Sequence, residues 1–258
     1  MNDPRWAVIT GASSGIGAEM ARIYAARGRS LVLTARREER LGALKDEIKA
    51  TRPDARVELM ALDLEEPDGA EHLVAELDRR EIEVETLVNN AGFGLRGSFA
   101  TLPYGDQSAM LQLNIVSLTK LCRLVLPGLI ARRRGGIINL ASTAAFQAIP
   151  FMAGYAATKA YVLSLSEALH EECRQHGVVV TALCPGPTAT EFAARADMEK
   201  SKLFKGAMSA ADVARTGIDG HEAGRAIVIT GVSNKAGAIG AKLAPRFLVR
   251  RMAAWLQG

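Results

Sequence analysis

Short apolar runs rich in β-branched residues alternate with longer amphipathic stretches along this chain, and no other feature limits its fold as strongly. Runs such as Leu31-Val32-Leu33 and Val178-Val179-Val180 are continuously apolar, whereas a strand with one face in water alternates apolar and polar residues. Strands buried on both faces belong to a parallel sheet covered by helices. The predicted fold is therefore α/β and doubly wound (Rossmann-type), with seven strands at Trp6–Thr10, Leu31–Ala35, Val57–Leu62, Val84–Asn89, Ile137–Ser142, Val178–Cys184 and Ala226–Thr230.

The length and charge of the chain suit a single domain over residues 1–258. Its 32 basic and 28 acidic residues are interspersed, which argues against nucleic acid as a partner. The first predicted strand starts at Trp6 and leaves no room for a signal peptide, and no apolar run approaches the ~20 residues of a membrane span. We therefore expect a cytoplasmic protein.

The cysteines and histidines give no pattern of a disulfide or a metal site. Cys122, Cys173 and Cys184 are far apart and each lies in an apolar run, as expected of reduced thiols. The four histidines fall on polar, helix-like stretches without the spacing of metal ligands. We expect no metal, and we place all four on the surface: His72, His170, His176 and His221.

Two predicted helices are unusually long, at about Asp106–Arg133 and Gly154–His176. They flank the fifth predicted strand. The segment Pro187–Ser209 is rich in Ala, Lys and Met and poor in β-branched residues, which predicts a loop with a short helix. This segment is a candidate lid over a binding site.

A glycine-rich turn follows the first strand and leads directly into a helix. It reads Thr10-Gly11-Ala12-Ser13-Ser14-Gly15-Ile16-Gly17. Glycines at these positions let the backbone turn tightly and approach a pyrophosphate, whose charge is met by amides at the helix N-terminus. The spacing is G-x-x-x-G-x-G rather than G-x-G-x-x-G, and taken alone the turn could be a tight connection between strand and helix.

The end of the second strand bears on the choice of cofactor. An NAD site places Asp or Glu there to hold the ribose hydroxyls, whereas this strand ends Thr34-Ala35-Arg36-Arg37. An acid would repel the 2′-phosphate of NADP, and a guanidinium can pair with it through two charge-assisted hydrogen bonds. Arg36 therefore predicts NADP(H); the alternative is that both arginines are the solvated start of a helix at Arg36–Ala50.

Tyr155 and Lys159 are four residues apart at the start of the second long helix, so they share one helical face. A free tyrosine titrates near pH ~10, and a nearby ammonium lowers that pKa, so the pair can act as an acid and base. Ser142 ends the fifth predicted strand, where this fold delivers ligand-binding groups. By itself the tyrosine-lysine spacing is also that of two residues on a solvated helix face.

Together these motifs resemble the short-chain dehydrogenase/reductase family, in its single-domain branch, over about residues 5–232. The resemblance depends on several separate pieces occurring in the family's order. They are Thr10–Gly17, Asp63-Leu64, Asn89-Asn90-Ala91-Gly92, Asn114, Ser142, Tyr155 with Lys159, and Pro185-Gly186 with Thr188 and Thr190.

The resemblance implies catalytic roles that the spacing alone does not give. Tyr155 would donate or accept the proton, and Ser142 would orient the carbonyl. Lys159 would lower the pKa of Tyr155 and hold the nicotinamide ribose. Asn114 would position a water that relays protons to Lys159. Without the family, Asn114 is equally readable as a polar residue that bends its helix.

The resemblance also implies the cofactor contacts. Asp63 would bond the adenine, Asn89 would brace the strand behind the cofactor, and Thr188 and Thr190 would meet the nicotinamide end. Asn89 could instead be a strand-end residue and Asp63 a turn acid. The complete predicted cofactor set is Gly11, Ser13, Ser14, Gly15, Ile16, Gly17, Arg36, Asp63, Leu64, Asn90, Ala91, Gly92, Tyr155, Lys159, Pro185, Gly186, Thr188 and Thr190.

Apolar residues surround the predicted reaction centre, which favours a medium or large lipophilic ketone or secondary alcohol. Some of them could equally belong to the core between sheet and helices. A competing class is a cofactor-binding sensor or scaffold without catalysis. The apolar set is Phe93, Leu95, Ala144, Phe146, Ile149, Phe151 and, in the candidate lid, Phe192, Met198, Leu203 and Phe204.

The family resemblance implies a homodimer or homotetramer formed through the two long helices. The residues that could serve this packing are Ala160, Leu163, Leu165, Ala168 and Leu169.

A basic amphipathic tail at about 233–258 lies beyond the region of resemblance. A final helix is predicted over Pro245–Gln257. Its stripe could lie on an anionic membrane, or pack on the protein itself or on a second subunit. The apolar stripe is Leu243, Phe247, Leu248, Met252 and Trp255, and the basic residues are Lys242, Arg246, Arg250 and Arg251.

Overall fold

The computed structural model describes residues 5–192 and 206–257. Seven parallel strands form one sheet in the order β3-β2-β1-β4-β5-β6-β9. These strands are β1 Trp6–Thr10, β2 Ser30–Ala35, β3 Val57–Ala61, β4 Val84–Asn89, β5 Gly136–Leu140, β6 Val179–Cys184 and β9 Ile227–Ile229. The doubly wound fold with seven parallel strands is therefore confirmed, with strand ends within one or two residues of those predicted.

Helices cover both faces of this sheet. They are α1 Gly15–Ala26, α2 Glu38–Thr51, α3 Gly69–Arg79, α4 Tyr104–Leu111, α5 Leu118–Arg132, α6 Ala153–Arg174, α7 Ala210–Glu222, α8 Val232–Leu243 and α9 Arg246–Gln257. In β1, Trp6 and Val8 belong to one core and Ala7 and Ile9 to the other. Since neighbouring side chains point to opposite faces and both are covered, every position of the strand is buried.

The chain moves outward from β1 to β3 and then returns across the sheet to β4. Strand order thus reverses between β1 and β4, and a crevice opens at their carboxyl ends. In open α/β sheets ligands bind at such a switch point.

The predicted end of the fifth strand is wrong. β5 ends at Leu140, and Ser142 lies beyond it as the N-cap of a short 3₁₀ helix, Thr143–Phe146. The Ser142 Oγ accepts a hydrogen bond from the amide of Ala144 at 3.1 Å. This local bond turns the chain away from the sheet.

The first long helix runs from Tyr104 to Arg132 and contains one π-helical segment, Gln112–Ser117. By length and composition alone it could cross a membrane, with a mean hydropathy of 1.5 in its most apolar window. Half of that window is buried inside the fold, and α5 packs on α3 and β4.

The surface assignment of the histidines is wrong for His221. Its ring lies in the core between α7 and β6, with Nδ1 2.9 Å from the Thr181 Oγ1. The ring fits because residue 136 is glycine: a Cβ at Gly136 would lie 2.6 Å from the His221 ring. Burial lowers the pKa of His221 to about 4, so the ring is neutral at pH 7.

His170 is half-buried, and its Nδ1 lies 2.8 Å from the carbonyl oxygen of Val180. All three cysteines are buried and free. Over residues 5–192 and 206–257, no three His, Cys, Asp or Glu side chains group as metal ligands.

Candidate active site

A cavity of about 1030 Å³ opens at the carboxyl ends of β1, β4, β5 and β6. The glycine turn after β1 lines one end, the start of α6 lines the middle, and α8 and α9 line the far wall. Sites for one small molecule usually reach at most ~1,000 Å³. The cavity is therefore at the upper end of that range and has room for a large ligand.

The glycine turn forms a cradle that side chains would fill. Gly11 and Gly15 have φ of +64° and +56°, which favours glycine. Gly17 is helical, yet a Cβ there would lie 2.5 Å from the Asn90 Nδ2 and 2.6 Å from the Gly11 oxygen. The Asn90 amide in turn donates to the carbonyls of Thr10 and Gly11, at 2.9 and 3.1 Å. This close packing holds the turn open for a pyrophosphate.

The same turn is tied to β4 through Thr10. Its Oγ1 accepts from the amides of Asn90 and Ala91, at 3.0 and 2.9 Å. Gly92 follows, and a Cβ there would lie 2.8 Å from the Asn114 Oδ1. Asn90, Ala91 and Gly92, which all belong to the predicted cofactor set, line the cavity.

Two arginines after β2 reach the cavity. The Arg36 Nη1 lies 3.0 Å from Glu65 and 3.7 Å from Asp63. The Arg37 Nη2 donates to the hydroxyls of Ser13 and Ser14, both at 3.0 Å. Arg37 is thus a cavity-lining cation that the sequence prediction did not select. The helix after it begins at Glu38, two residues later than predicted.

Glu191 joins the two sides of the cavity opening. Its carboxylate pairs with Arg37 at 2.9 Å and also with Arg40 of α2. These hydrogen bonds hold the pKa of Glu191 below its usual value. Sequence reasoning missed this contact because the two charges are separated by about 150 residues.

Tyr155 and Lys159 are both buried in the cavity wall at the start of α6. The Lys159 Nζ donates to the Leu140 carbonyl at 2.6 Å and lies 5.8 Å from the centre of the Tyr155 ring. Phe192 packs against the other side of the tyrosine, with ring centres 5.3 Å apart. The predicted convergence of this pair with Ser142 is therefore present.

Burial controls the titration of both groups. It raises the pKa of Tyr155 to about 12, and a hydrogen bond with Ser142 partly opposes that rise. Burial lowers the pKa of Lys159 to about 8. The expected lowering of the tyrosine pKa by Lys159 is not present in this state. Tyr155 is consequently a protonated hydroxyl at neutral pH, suited to donate.

Asn114 lies in the π-helical segment and is buried beside the cavity-lining Gly92. Its Nδ2 donates to the Phe93 carbonyl at 2.9 Å and to the Thr158 Oγ1 at 3.2 Å, and its Oδ1 accepts from the Phe93 amide. The side chain therefore fixes the segment after β4, which lines the cavity. The relay of protons through water stays a prediction.

Of the remaining predicted residues, some line the cavity and one stabilises the sheet behind it. Asp63 accepts from the Glu65 amide at 2.9 Å, as a turn acid does, yet it also lines the cavity with Leu64, Pro185 and Gly186. The Asn89 side chain donates to the Asn139 Oδ1 at 2.8 Å, which ties β4 to β5 behind the site.

The far end of the cavity is mostly apolar. Phe93, Ala144, Phe146, Ile149 and Phe192 line it, as predicted. Leu95 and Phe151 line a small adjoining cavity instead. Met198, Leu203 and Phe204 lie outside the described residues. β7 Thr188–Ala189, before residues 193–205, pairs with β8 Met208–Ser209, after them. Thr188 and Thr190 line the cavity, as predicted for cofactor contacts.

The prediction missed the contribution of the tail to this cavity. Residues of α8 and α9 and the link between them form part of its wall, namely Ser233, Asn234, Gly237, Ala238, Gly240, Ala241, Ala244, Val249 and Met252. The apolar stripe predicted for the tail is not this inner face: all five of its residues are exposed, and only Met252 also lines the cavity.

Known proteins share this architecture. A very-long-chain 3-oxoacyl-CoA reductase from Mycosarcoma maydis is 35% identical over 185 residues, which are 69% of this chain and 51% of that protein. The chain thus spans about half the length of this curated relative. A short-chain dehydrogenase from Sphingobium yanoikuyae in complex with NADPH superposes with a TM-score of 0.83 at 32% identity, covering 91% of this chain and 92% of that one.

A short-chain dehydrogenase/reductase from Burkholderia phymatum in complex with NAD has a TM-score of 0.82 at 26% identity, with 92% of each chain covered. The short chain dehydrogenase family profile matches residues 5–201. Because that match covers most of the chain and agrees with the order of strands, glycine turn and tyrosine-lysine helix, the chain belongs to the short-chain dehydrogenase/reductase family.

Proposed function

We propose that this protein is an NADP(H)-dependent oxidoreductase that reduces the carbonyl of a medium or large lipophilic substrate, or oxidises the matching secondary alcohol. The observation that carries the proposal is the buried Tyr155 hydroxyl between Ser142 and Lys159 at the centre of a cavity that is polar at one end and apolar at the other. The glycine cradle fits a dinucleotide pyrophosphate.

Bound NADPH would supply the hydride that reduces the carbonyl carbon. The chain's own residues handle the proton and the orientation. Ser142 would hold the carbonyl oxygen. Tyr155 would give its hydroxyl proton to the oxygen as negative charge develops there.

Donation leaves a phenolate on Tyr155, which is costly in a buried position. Lys159 would offset this cost if its ammonium turned from the Leu140 carbonyl toward the phenolate, since it lies only 5.8 Å from the centre of the tyrosine ring. In alcohol oxidation the same groups would work in reverse, with the phenolate accepting the proton.

The apolar end of the cavity would bind the substrate by removing apolar surface from water, leaving Ser142 and Tyr155 to orient the reacting oxygen. A catalytically silent sensor is the alternative. The presence of the whole set Asn114, Ser142, Tyr155 and Lys159 favours the enzyme.

The test of this function is the loss of NADPH absorbance when the purified protein is incubated with a panel of ketones. The panel holds bulky lipophilic ketones, 3-oxoacyl thioesters and a small polar aldehyde. Faster turnover of the bulky substrates supports the proposal. Turnover of the small aldehyde alone would refute the lipophilic substrate, and no turnover of any member would favour the sensor.

We expect the protein to prefer NADPH over NADH, because Arg36 stands where an NAD site carries an acid. Arg36→Ala should weaken NADPH by the value of a charged hydrogen bond, ~1.5–3 kcal/mol, and leave NADH nearly unchanged. Fluorescence titration of both cofactors measures this. Arg56→Ala, at an exposed position before β3, is the matched control. Equal affinities in the unaltered protein would contradict NADP(H) as the cofactor.

We also propose a homodimer or homotetramer formed through α5 and α6. Large apolar side chains are exposed on these helices and the π-helical segment, at Val116, Leu124 and Tyr161. Leu163 is unsuited to this contact, because it is already buried within the chain. Light scattering at micromolar concentration should give a dimer or tetramer that Leu124→Glu dissociates, whereas a monomeric mass for the unaltered protein would end this proposal.

A further inference from the structure

The charge of the chain changes abruptly after Glu222. Beyond it stand six basic residues and no acidic one: Arg225, Lys235, Lys242, Arg246, Arg250 and Arg251. The formal charge of the whole chain is +4, so the residues up to Glu222 carry a net −2. The basic excess of this protein therefore belongs to its last segment.

Helix α8 has two distinct apolar faces. Asn234, Gly237, Ala238 and Ala241 fall on one side and line the cavity. Val232, Ile239 and Leu243 are seven and four residues apart, which places them together on the opposite side. All three are exposed, and Leu243 is 82% exposed.

Helix α9 repeats this arrangement. Val249 and Ala253 are four residues apart and buried, each 5% exposed. Phe247, Leu248 and Trp255 point away from that inner face, and the Trp255 side chain is 77% exposed. The outward apolar faces of these two consecutive helices, with the basic residues beside them, are here called the tail surface: Val232, Ile239, Leu243, Arg246, Phe247, Leu248, Arg250, Arg251, Met252 and Trp255.

An outward apolar surface of this extent needs a partner. The residues that the structure describes do not cover it, since its large side chains are exposed. A second copy in a two-fold interface would set the same patch against itself. That would bring the basic residues of both copies together, and the segment has no acid to pair with them.

We propose that the tail surface docks on an anionic lipid bilayer. Interfacial helices combine Trp, Phe and Leu on the side that enters the bilayer with Lys and Arg that meet anionic headgroups. The tail surface has these residues, and its charge complements a negative surface. Docking would be peripheral, because α8 and α9 lie flat on the body through their inner faces.

The tail surface also adjoins the cavity. Met252 is exposed to solvent and lines the cavity wall. A bilayer at this surface would place the apolar end of the cavity beside the phase in which lipophilic compounds concentrate. This consequence depends on the proposed function, whereas bilayer docking does not.

The test is co-sedimentation of the full-length protein with vesicles of phosphatidylcholine, with and without phosphatidylglycerol. We expect binding to the anionic vesicles, weakening as salt is raised. A basic residue near such a surface contributes about fivefold in affinity, so Arg250→Gln/Arg251→Gln should weaken binding about twenty-five-fold. Neither residue lines the cavity, and thermal unfolding should be unchanged.

The control pair Lys49→Gln/Arg56→Gln removes the same charge from exposed positions on α2 and before β3, and should keep full binding. Trp255 supplies a second readout, because Trp6 is buried: its emission should shift to the blue only with anionic vesicles. No binding to anionic vesicles, or equal losses in both pairs, would overturn the proposal. A third outcome would also overturn it: Leu243→Ser/Leu248→Ser changes the mass measured by light scattering but leaves vesicle binding intact. That result would assign the tail surface to contact with a second copy of the chain.

Discussion

Tyr155→Phe should lower the rate of ketone reduction by about a hundredfold to ten-thousandfold, the usual contribution of a positioned acid. The substitution removes one hydroxyl and keeps the ring, which packs against Phe192 at 5.3 Å between centres. Cofactor affinity and thermal unfolding should therefore change little. The measurement is single-turnover oxidation of NADPH with a saturating ketone, next to a cofactor titration.

The matched control is Tyr161→Phe on the same helix. That hydroxyl lies outside the cavity, where it is 3.0 Å from the Thr119 Oγ1. It should leave turnover unchanged. If Tyr155→Phe retained near-full reduction, a different acid would have to protonate the product, and the role proposed for the buried hydroxyl would be wrong.

The sequence predicted the sheet well because the signal for a buried parallel strand is local. Strands β1 and β2 carry continuous apolar runs, and both faces of β1 are covered by separate cores. The prediction failed at Ser142, where the strand pattern continues but the serine hydroxyl bonds the amide of Ala144 and starts a 3₁₀ turn. A side-chain bond to the backbone can thus end a strand whose apolar pattern continues.

Most of the predicted site residues line one cavity, because the carboxyl ends of parallel strands meet at one edge of the sheet. Contacts between distant segments could not be predicted in this way. Glu191 joins Arg37 and Arg40 across the opening, and His221 is buried only because Gly136 leaves room for its ring. Both the Glu191 contacts and the burial of His221 depend on tertiary packing, which the local sequence does not reveal.

The tail is a further case in which the sequence pattern predicted a helix but not its tertiary contacts. Its amphipathic pattern predicted a final helix, and α9 begins at Arg246, one residue after the predicted start. The pattern did not show that Val249 and Met252 would form a wall of the cavity. The predicted stripe is exposed, whereas Val249 and Ala253, which it did not include, are buried. A hydrophobic stripe indicates an amphipathic helix, and which of its faces the fold covers follows from tertiary structure.

Gly17→Ala should weaken cofactor binding by more than tenfold, or at least ~1.4 kcal/mol, and lower the free energy of unfolding by ~1–3 kcal/mol. Gly17 is helical, so backbone conformation is no obstacle and the effect comes from contact alone. The new methyl would lie 2.5 Å from the Asn90 Nδ2 and 2.6 Å from the Gly11 oxygen. Either the Asn90 amide releases the carbonyls of Thr10 and Gly11, or the helix moves away from the phosphate turn.

Gly42→Ala provides the matched control, since Gly42 also lies inside a helix and a Cβ there would meet no atom within 4 Å. Its expected result has the opposite sign, because alanine in an open helical position stabilises by ~0.5–1 kcal/mol. Thermal unfolding and NADPH titration of both variants give the comparison. Unimpaired cofactor binding in Gly17→Ala would mean that the turn can repack around a side chain, and the cradle formed by Asn90 and Gly11 would then not be what admits the pyrophosphate.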